Sequence, residues 1–297
     1  MGEKQCIETM SHDHSSLREY FKFATQQALA RAGFLRSRNL QVLQASVLFL
    51  ACLRSHEDAD FVLTMVAAIH RMAQAMGLNR EKTFEELSPF EIEMRRRLCW
   101  HIYLLDSLSS ELHSIGTQIM IEGEFDTEKL LNIDESDISP GSSETTHSRV
   151  GFTEMTLCLL RIEMIVHYRR SALVGYRKSD DKDTRRNPDI IEKRLEELEE
   201  LHHYLSDHYL RFCDLSVPSQ WVTATIIHLA LARLLLTANF SNEPATDPVS
   251  SIEVVQKDLN RDQLFATALE VVEFALLLET DSRTMKWSWF FEDIRNG

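Results

Sequence analysis

The chain has 297 residues, 44% hydrophobic and 26% charged, with a formal net charge of −14 at pH 7. Its 46 acidic residues outnumber 32 basic ones, which makes the chain as a whole a poor nucleic-acid binder and ill-suited to anionic membranes. Only 9 Gly and 6 Pro are present, too few for turn-dense all-β or α/β folds, so the composition points to an all-α protein.

Residues 1–16 read as a flexible N-terminal lead-in. A first helix is expected from Ser15 or Ser16, where Glu19 completes a capping box with Ser16, and runs toward Gly33. A second spans about Asn39 to Arg54. Its Leu40, Val42, Leu43, Val47, Leu48 and Leu50 are apolar nearly all round, the mark of a central, buried helix. A third, from about Asp60 to Met76, ends at Gly77, which suits a left-handed stop. The fourth begins with three agreeing start signals, Ser88 at N-cap, Pro89 at N1 and Glu91 at N3, and persists to about Glu111 or His113.

Residues 114–148 lose helical periodicity. They hold Glu122, Glu124, Asp126, Glu128, Asp134, Glu135 and Asp137 before a Ser- and Thr-rich stretch, and read as a long acidic loop with extended segments and a flexible end. A long helix is expected over about Arg149 to Tyr176, then a charged loop from Lys178 to Asn187. Asn187-Pro188 starts an amphipathic helix through Ile191, Leu195, Leu198, Leu201 and Leu205. Pro218 opens a strongly apolar helix to Phe240, a linker follows, and the last helix or pair covers about Ser251 to Leu278. The aromatic tail Trp287 to Ile294 reads as helical again. No run reaches the length and purity of a membrane span and no signal peptide is visible, which suggests a soluble, intracellular protein.

Few residues suggest chemistry. Cys6, Cys52, Cys99, Cys158 and Cys213 stand singly in apolar surroundings, without C-x-x-C spacing, and read as buried free thiols in a reducing compartment. His12, Asp13 and His14 fall in the lead-in, and His202, His203, Asp207 and His208 lie on a polar helix face without an H-E-x-x-H pattern. The clusters Asp134, Glu135, Asp137 and Asp180, Asp181, Asp183 lack the ordered repeat of a metal-diphosphate site. No phosphate-cradling loop or nucleophile elbow is present. No catalytic, cofactor-binding or metal residue is assigned.

The most informative segment is Arg95-Arg96-Arg97, followed at once by Leu98, Cys99 and Trp100 and ending on Asp106. Successive residues of a helix differ by about 100° in bearing, so at least one guanidinium must turn toward the apolar side. An unpaired charge there is costly, so carboxylate partners are required. Asp106 lies three turns beyond Arg95, about 16 Å away, and cannot be that partner. The expected arrangement is a structural network of Arg95, Arg96, Arg97 and Asp106, with partners from other helices.

Glu93 to Trp100, Tyr103 to Asp106, the Ala67–Leu78 stretch and Val42 to Ala45 together resemble the regulatory middle homology domain of fungal zinc-cluster transcription factors. The match is best over residues 38–138. The resemblance implies an all-α, multi-helix bundle with its long acidic loop around 114–148, forming a single regulatory domain over 17–297 that reads as truncated at both ends. Family members carry an N-terminal six-cysteine, two-zinc DNA-binding module with no counterpart in this sequence, so zinc is expected only if such a module exists elsewhere. The function implied is a transcription-factor-like regulator of a fungal metabolic pathway, without its own DNA-reading module, acting by protein contact or small-molecule sensing. Its partners would be a protein coregulator, a full-length transcription factor or a small-molecule inducer, with no direct nucleic acid or membrane binding, in the nucleus or cytoplasm. The alternative is an enzyme or ligand carrier of secondary metabolism built on the same domain, with His70, Asp106 and His113 as the first residues to test.

Overall fold

The computed structural model describes residues 3–53, 59–111, 119–120, 123–141, 145–177, 188–240 and 251–287. Nine α-helices, several short 3₁₀ turns and no strand are found among the described residues, so the protein is all-α. The chain divides into two compact units, one reaching Ser148 and the other starting at Arg149.

The first unit contains α1 (Glu3–Met10), α2 (His14–Arg31), α3 (Leu40–Leu53), α4 (Ala59–Ala75) and α5 (Pro89–Glu111). α1 falls inside the expected lead-in. α2 starts one or two residues earlier than expected because Asp13, not Ser16, caps it: the Asp13 carboxylate accepts the Ser16 N–H at 2.9 Å and the Ser16 hydroxyl at 2.7 Å. α3, α4 and α5 pack on one another. Leu43, Val47, Leu50, Val62, Val66, Ile69, Leu98 and Ile102 form the buried centre, each worth about 1.5–3 kcal/mol of removed apolar surface. α3 is not buried all round as its composition suggested: Leu48 is 66% exposed, because only the Leu43, Val47 and Leu50 side meets its neighbours.

α4 ends as its sequence requires. Gly77 takes φ +77°, the Gly77 N–H reaches the Gln74 carbonyl and the Leu78 N–H reaches the Ala73 carbonyl, each at 3.0 Å. This is a Schellman stop sealed by the fully buried Leu78. A Cβ at residue 77 would lie 3.1 Å from the Thr83 hydroxyl, in a backbone conformation that favours glycine. The turn aims the following 3₁₀ segment, Glu81–Phe84, back at α5.

After α5 the described residues up to Ser148 hold no helix except the 3₁₀ turn Glu135–Asp137, consistent with the expected acidic loop. Asp134, Glu135 and Asp137 do not form a paired-carboxylate site. Asp134 and Asp137 cap that turn reciprocally, with the Asp134 N–H on the Asp137 carboxylate at 2.9 Å.

The second unit contains α6 (Thr156–Arg177), α7 (Pro188–His208), α8 (Pro218–Phe240) and α9 (Ser251–Thr280). α6 starts seven residues later than the expected Arg149. Thr153 and Thr156 set the boundary: the Thr153 N–H meets the Thr156 hydroxyl at 2.8 Å, and the Met155 N–H meets the Thr153 hydroxyl at 3.2 Å. Prolines open α7 and α8 at N1, where a missing N–H costs nothing.

Leu160 and Met164 of α6, Leu201 and Leu205 of α7 and Ile227 and Leu231 of α8 form one core cluster. Val222, Ile226 and Leu229 of α8 meet Leu278 of α9 in another. α8 is thus buried on two sides, which explains its apolarity. Contrary to the sequence reading, Pro218–Leu236 is long and apolar enough to cross a membrane by length and composition alone, with mean hydropathy 1.3, but more than half of that window is buried in the unit. Arg283 lies 3.7 Å over the Trp221 ring and is gripped by Asp281 at 2.9 and 2.7 Å. That pairing holds the Asp281 carboxyl down at about 2.

His113, Ile115 to Gln118, the Asp180–Asp183 cluster, the 241–250 linker and the tail after Trp287 lie outside the described residues.

Candidate functional site

The capping signals of α5 place its charges. Glu91 accepts the Ser88 N–H at 3.0 Å and the Ser88 hydroxyl at 2.8 Å, and its own N–H reaches that hydroxyl at 3.3 Å. Those bonds to Ser88 hold the Glu91 carboxyl below its ordinary value. Two residues further along, about half a turn round the helix, Glu93 enters the core and is only 1% exposed.

The three arginines take separate partners. Arg97, one turn after Glu93, donates from Nε to Glu93 at 2.8 Å and from Nη1 to Glu135 of the acidic loop at 2.6 Å. Arg96 donates from Nε and Nη2 to Glu81 at 3.0 and 2.5 Å, and from Nη2 to Glu128 of the loop. Arg95 carries its guanidinium 6.0 Å from the Phe84 ring centre. The partners of Arg96 and Arg97 therefore come from the acidic loop, a 3₁₀ turn and α5 itself, not from other α-helices as expected. The cause is topological: the Gly77 stop and the loop bring short segments across the charged side of α5.

Asp106 is fully buried and serves the same loop from the far end of α5. Its carboxylate accepts the Ile119 N–H at 3.2 and 3.1 Å and the Met120 N–H at 3.0 Å. Glu93 accepts the Leu131 N–H at 3.3 and 3.2 Å. Trp100 Nε1 donates to the Glu128 carbonyl at 2.8 Å. Between these points the Thr127 hydroxyl donates to the Leu78 carbonyl at 2.6 Å, and the Glu81 N–H reaches Asp126 at 2.8 Å. Glu81 also accepts the Glu128 N–H at 2.9 Å. Trp100 packs edge-to-face on Tyr103 of α5 and on Phe125 of the loop, 5.3 Å from each ring centre. The result is a clasp: α5 side chains satisfy loop backbone groups at 119–120, 128 and 131, and loop carboxylates neutralise α5 guanidinia.

Glu81, Glu93, Glu128, Trp100 and Thr127 were not foreseen as members. The Glu93–Arg97 pair carries a readable i, i+4 spacing; the others join residues far apart in the chain.

Cys6 and Cys99 are buried as expected, whereas Cys52 is exposed and Cys158 and Cys213 are half-buried; burial pushes the Cys99 thiol up to about 11, which makes it an inert core group. Burial lowers the His70 pKa, Arg71 adds to the effect and Glu124 opposes it, so His70 stays neutral. His202, His203 and His208 lie exposed on α7. Among the described residues no group of three or more His, Cys, Asp or Glu side chains could hold a metal ion.

Comparison with known proteins gives a consistent picture. The family model "fungal specific transcription factor domain" matches residues 5–206. The chain is similar to the aurofusarin cluster transcription factor aurR2 of Gibberella zeae, 28% identical over 97% of this chain and 42% of that protein. It is also similar to the transcriptional regulator AacuB of Aspergillus aculeatus, 26% identical over 97% of this chain and 38% of that protein. A third relative is the C6 finger domain transcription factor hasF of Aspergillus fumigatus, 27% identical over 93% of this chain and 38% of that protein. The chain thus spans about two fifths of the length of these relatives. No solved structure matches.

Proposed function

The chain belongs to the fungal specific transcription factor domain family, and from that premise we propose that it regulates transcription of a fungal secondary-metabolite gene cluster by protein contact or small-molecule sensing. Its relatives are pathway-cluster transcription factors, which supports a regulatory role exerted in the nucleus. The net charge of −14 supports a segment that does not itself read DNA.

The carrying observation is the clasp. A regulatory segment needs a rigid frame and an element whose position a partner or ligand can bias. In this reading α5 is the frame, and the loop residues Ile119, Met120, Glu128, Leu131 and Glu135 are tied to it at separate polar points through Asp106, Arg96, Glu93 and Arg97. In this reading an inducer or coregulator acts by favouring one arrangement of that loop.

The test is a fungal reporter strain in which the chain is recruited to a promoter through an unrelated DNA-binding module. The expected result is reporter output that differs severalfold from the module alone and is lost in the Arg97→Met and Asp106→Asn variants at equal protein level. Output equal to the module alone would overturn the reading.

A further inference from the structure

The outer face of α9 carries a feature that neither the clasp nor the core uses. Phe265, Leu269, Val272 and Leu276 follow one another at intervals of four, three and four residues. At about 100° per residue they fall on one narrow stripe about three turns long. All four are exposed, Phe265 by 72% and Val272 by 61%. The side of α9 that packs on α8 is built from other residues, Val271, Phe274, Ala275 and Leu278. α9 is therefore apolar on two faces, and core packing accounts for only one. Large apolar side chains in an unbroken exposed row mark an interaction surface. Their spacing is that of knobs that seat between the side chains of one facing helix.

Charge selects the occupant. Along the stripe itself, from Phe265 to Leu276, the charged residues are Glu270 and Glu273; Asp262 and Glu279 lie just beyond its ends, and the cations of the helix, Lys257 and Arg261, precede it. Asp262 and Glu273 are exposed and lie on the flank of the stripe, about 60–80° round the helix from Phe265. Two copies of α9 face to face would set these carboxylates against each other, in a chain that already carries −14. An anionic lipid surface meets the same repulsion. A helix with apolar residues at matching intervals and Lys or Arg beside them satisfies both the stripe and its acidic margin.

We propose that the outer face of α9 binds a basic amphipathic helix of a partner protein. The proposal rests on the reading that this chain acts through protein contact, and it names the surface and the chemistry of the partner.

Fluorescence anisotropy with the full chain and two labelled helical peptides of about three heptads tests it. The peptides share their apolar residues and differ only in flanking Lys or Glu. The Lys peptide should bind at least about tenfold more tightly than the Glu peptide. The double variant Leu269→Asp, Val272→Asp should weaken that binding by at least about tenfold. Reversing the margin with Asp262→Lys and Glu273→Lys should invert the preference while leaving the stripe intact. Every substituted position is exposed, and circular dichroism is the control that each variant keeps its helical fold.

Equal binding of the two peptides, or affinity untouched by the Asp substitutions, overturns the proposal. So does a dimer in sedimentation that Leu269→Asp abolishes, or capture by anionic vesicles through this face. If the Lys peptide binds as expected but the reporter response fails, the protein-contact reading falls and the surface stands. If the reporter responds and the peptide does not bind, the surface alone falls.

Discussion

Arg97 bridges a core carboxylate, Glu93, and a loop carboxylate, Glu135. Its partner Glu93 is almost fully enclosed, and its own side chain is only 11% exposed. Removing the guanidinium leaves a buried carboxylate held, among the described residues, by the Leu131 N–H. An uncompensated buried charge of this kind costs about 3–5 kcal/mol. Arg97→Met should therefore destabilise by roughly that amount in chemical denaturation, whereas Arg96→Met should cost less, about 1–2 kcal/mol, because Glu128 is 65% exposed and Glu81, 25% exposed, keeps the Glu128 N–H and reaches water. Equal losses for the two variants would contradict this ranking. A second residue-scale expectation concerns His70, whose pKa burial lowers. The folded state takes up a proton at His70 less readily than the unfolded chain does. Stability from this group is therefore complete above the ordinary histidine pKa of about 6.5 and is lost as pH falls below it. Melting temperature should drop on acidification from about pH 7.5 to about pH 5.5, and His70→Leu should flatten part of that slope. His228, whose pKa burial also lowers with help from His202, keeps a residual slope in the variant.

At the scale of elements, the acidic loop behaves as a set of clips rather than a tether. Asp106 holds the amides of Ile119 and Met120, and Glu93 holds the amide of Leu131. The bonds are made by different side chains of one helix, so they should open separately. Hydrogen exchange by mass spectrometry should show faster exchange around 119–120 in Asp106→Asn and around 131 in Glu93→Gln, each with little change at the other site. Simultaneous loss at both would mean that the loop releases as one piece. The same elements show what a sequence can reveal. The Ser88-Pro89-Glu91 start and the Gly77 stop were readable because every signal lies within a few residues of the boundary it sets. The polar partners of Arg96 and Arg97 were not, since Glu81, Glu128 and Glu135 lie 15, 32 and 38 residues away and proximity depends on how the loop returns. The start of α6 was misplaced because apolar spacing runs on through Phe152 and Met155, while two threonine hydroxyls end the loop there. The reading of α3 as buried all round failed for a related reason. Composition states how much apolar surface a helix has, and only its neighbours decide which side is covered, as exposed Leu48 shows.

For the molecule as a whole, charge distribution matters more than charge total. The longest run of consecutive cations in the sequence is Arg95 to Arg97, the natural place to look for a phosphate-binding surface. Arg96 and Arg97 are instead spent on Glu81, Glu128, Glu93 and Glu135, so the fold uses its densest cationic segment to fasten an acidic loop. Binding to DNA would require those pairs to break and bring phosphates up to a chain of net charge −14, with loop carboxylates beside them. Nucleic-acid affinity scales with the number of phosphates that clustered cations neutralise. The chain alone should therefore leave duplex DNA unretarded in a gel-shift assay at about 0.15 M salt and show no sequence preference at lower salt. Glu128→Gln and Glu135→Gln, which free guanidinium charge without adding any, should produce at most weak retardation that vanishes as salt is raised. Tight, sequence-specific binding by the unmodified chain would show that a cationic surface exists outside the network around α5, and would reassign the first unit from fastening to reading.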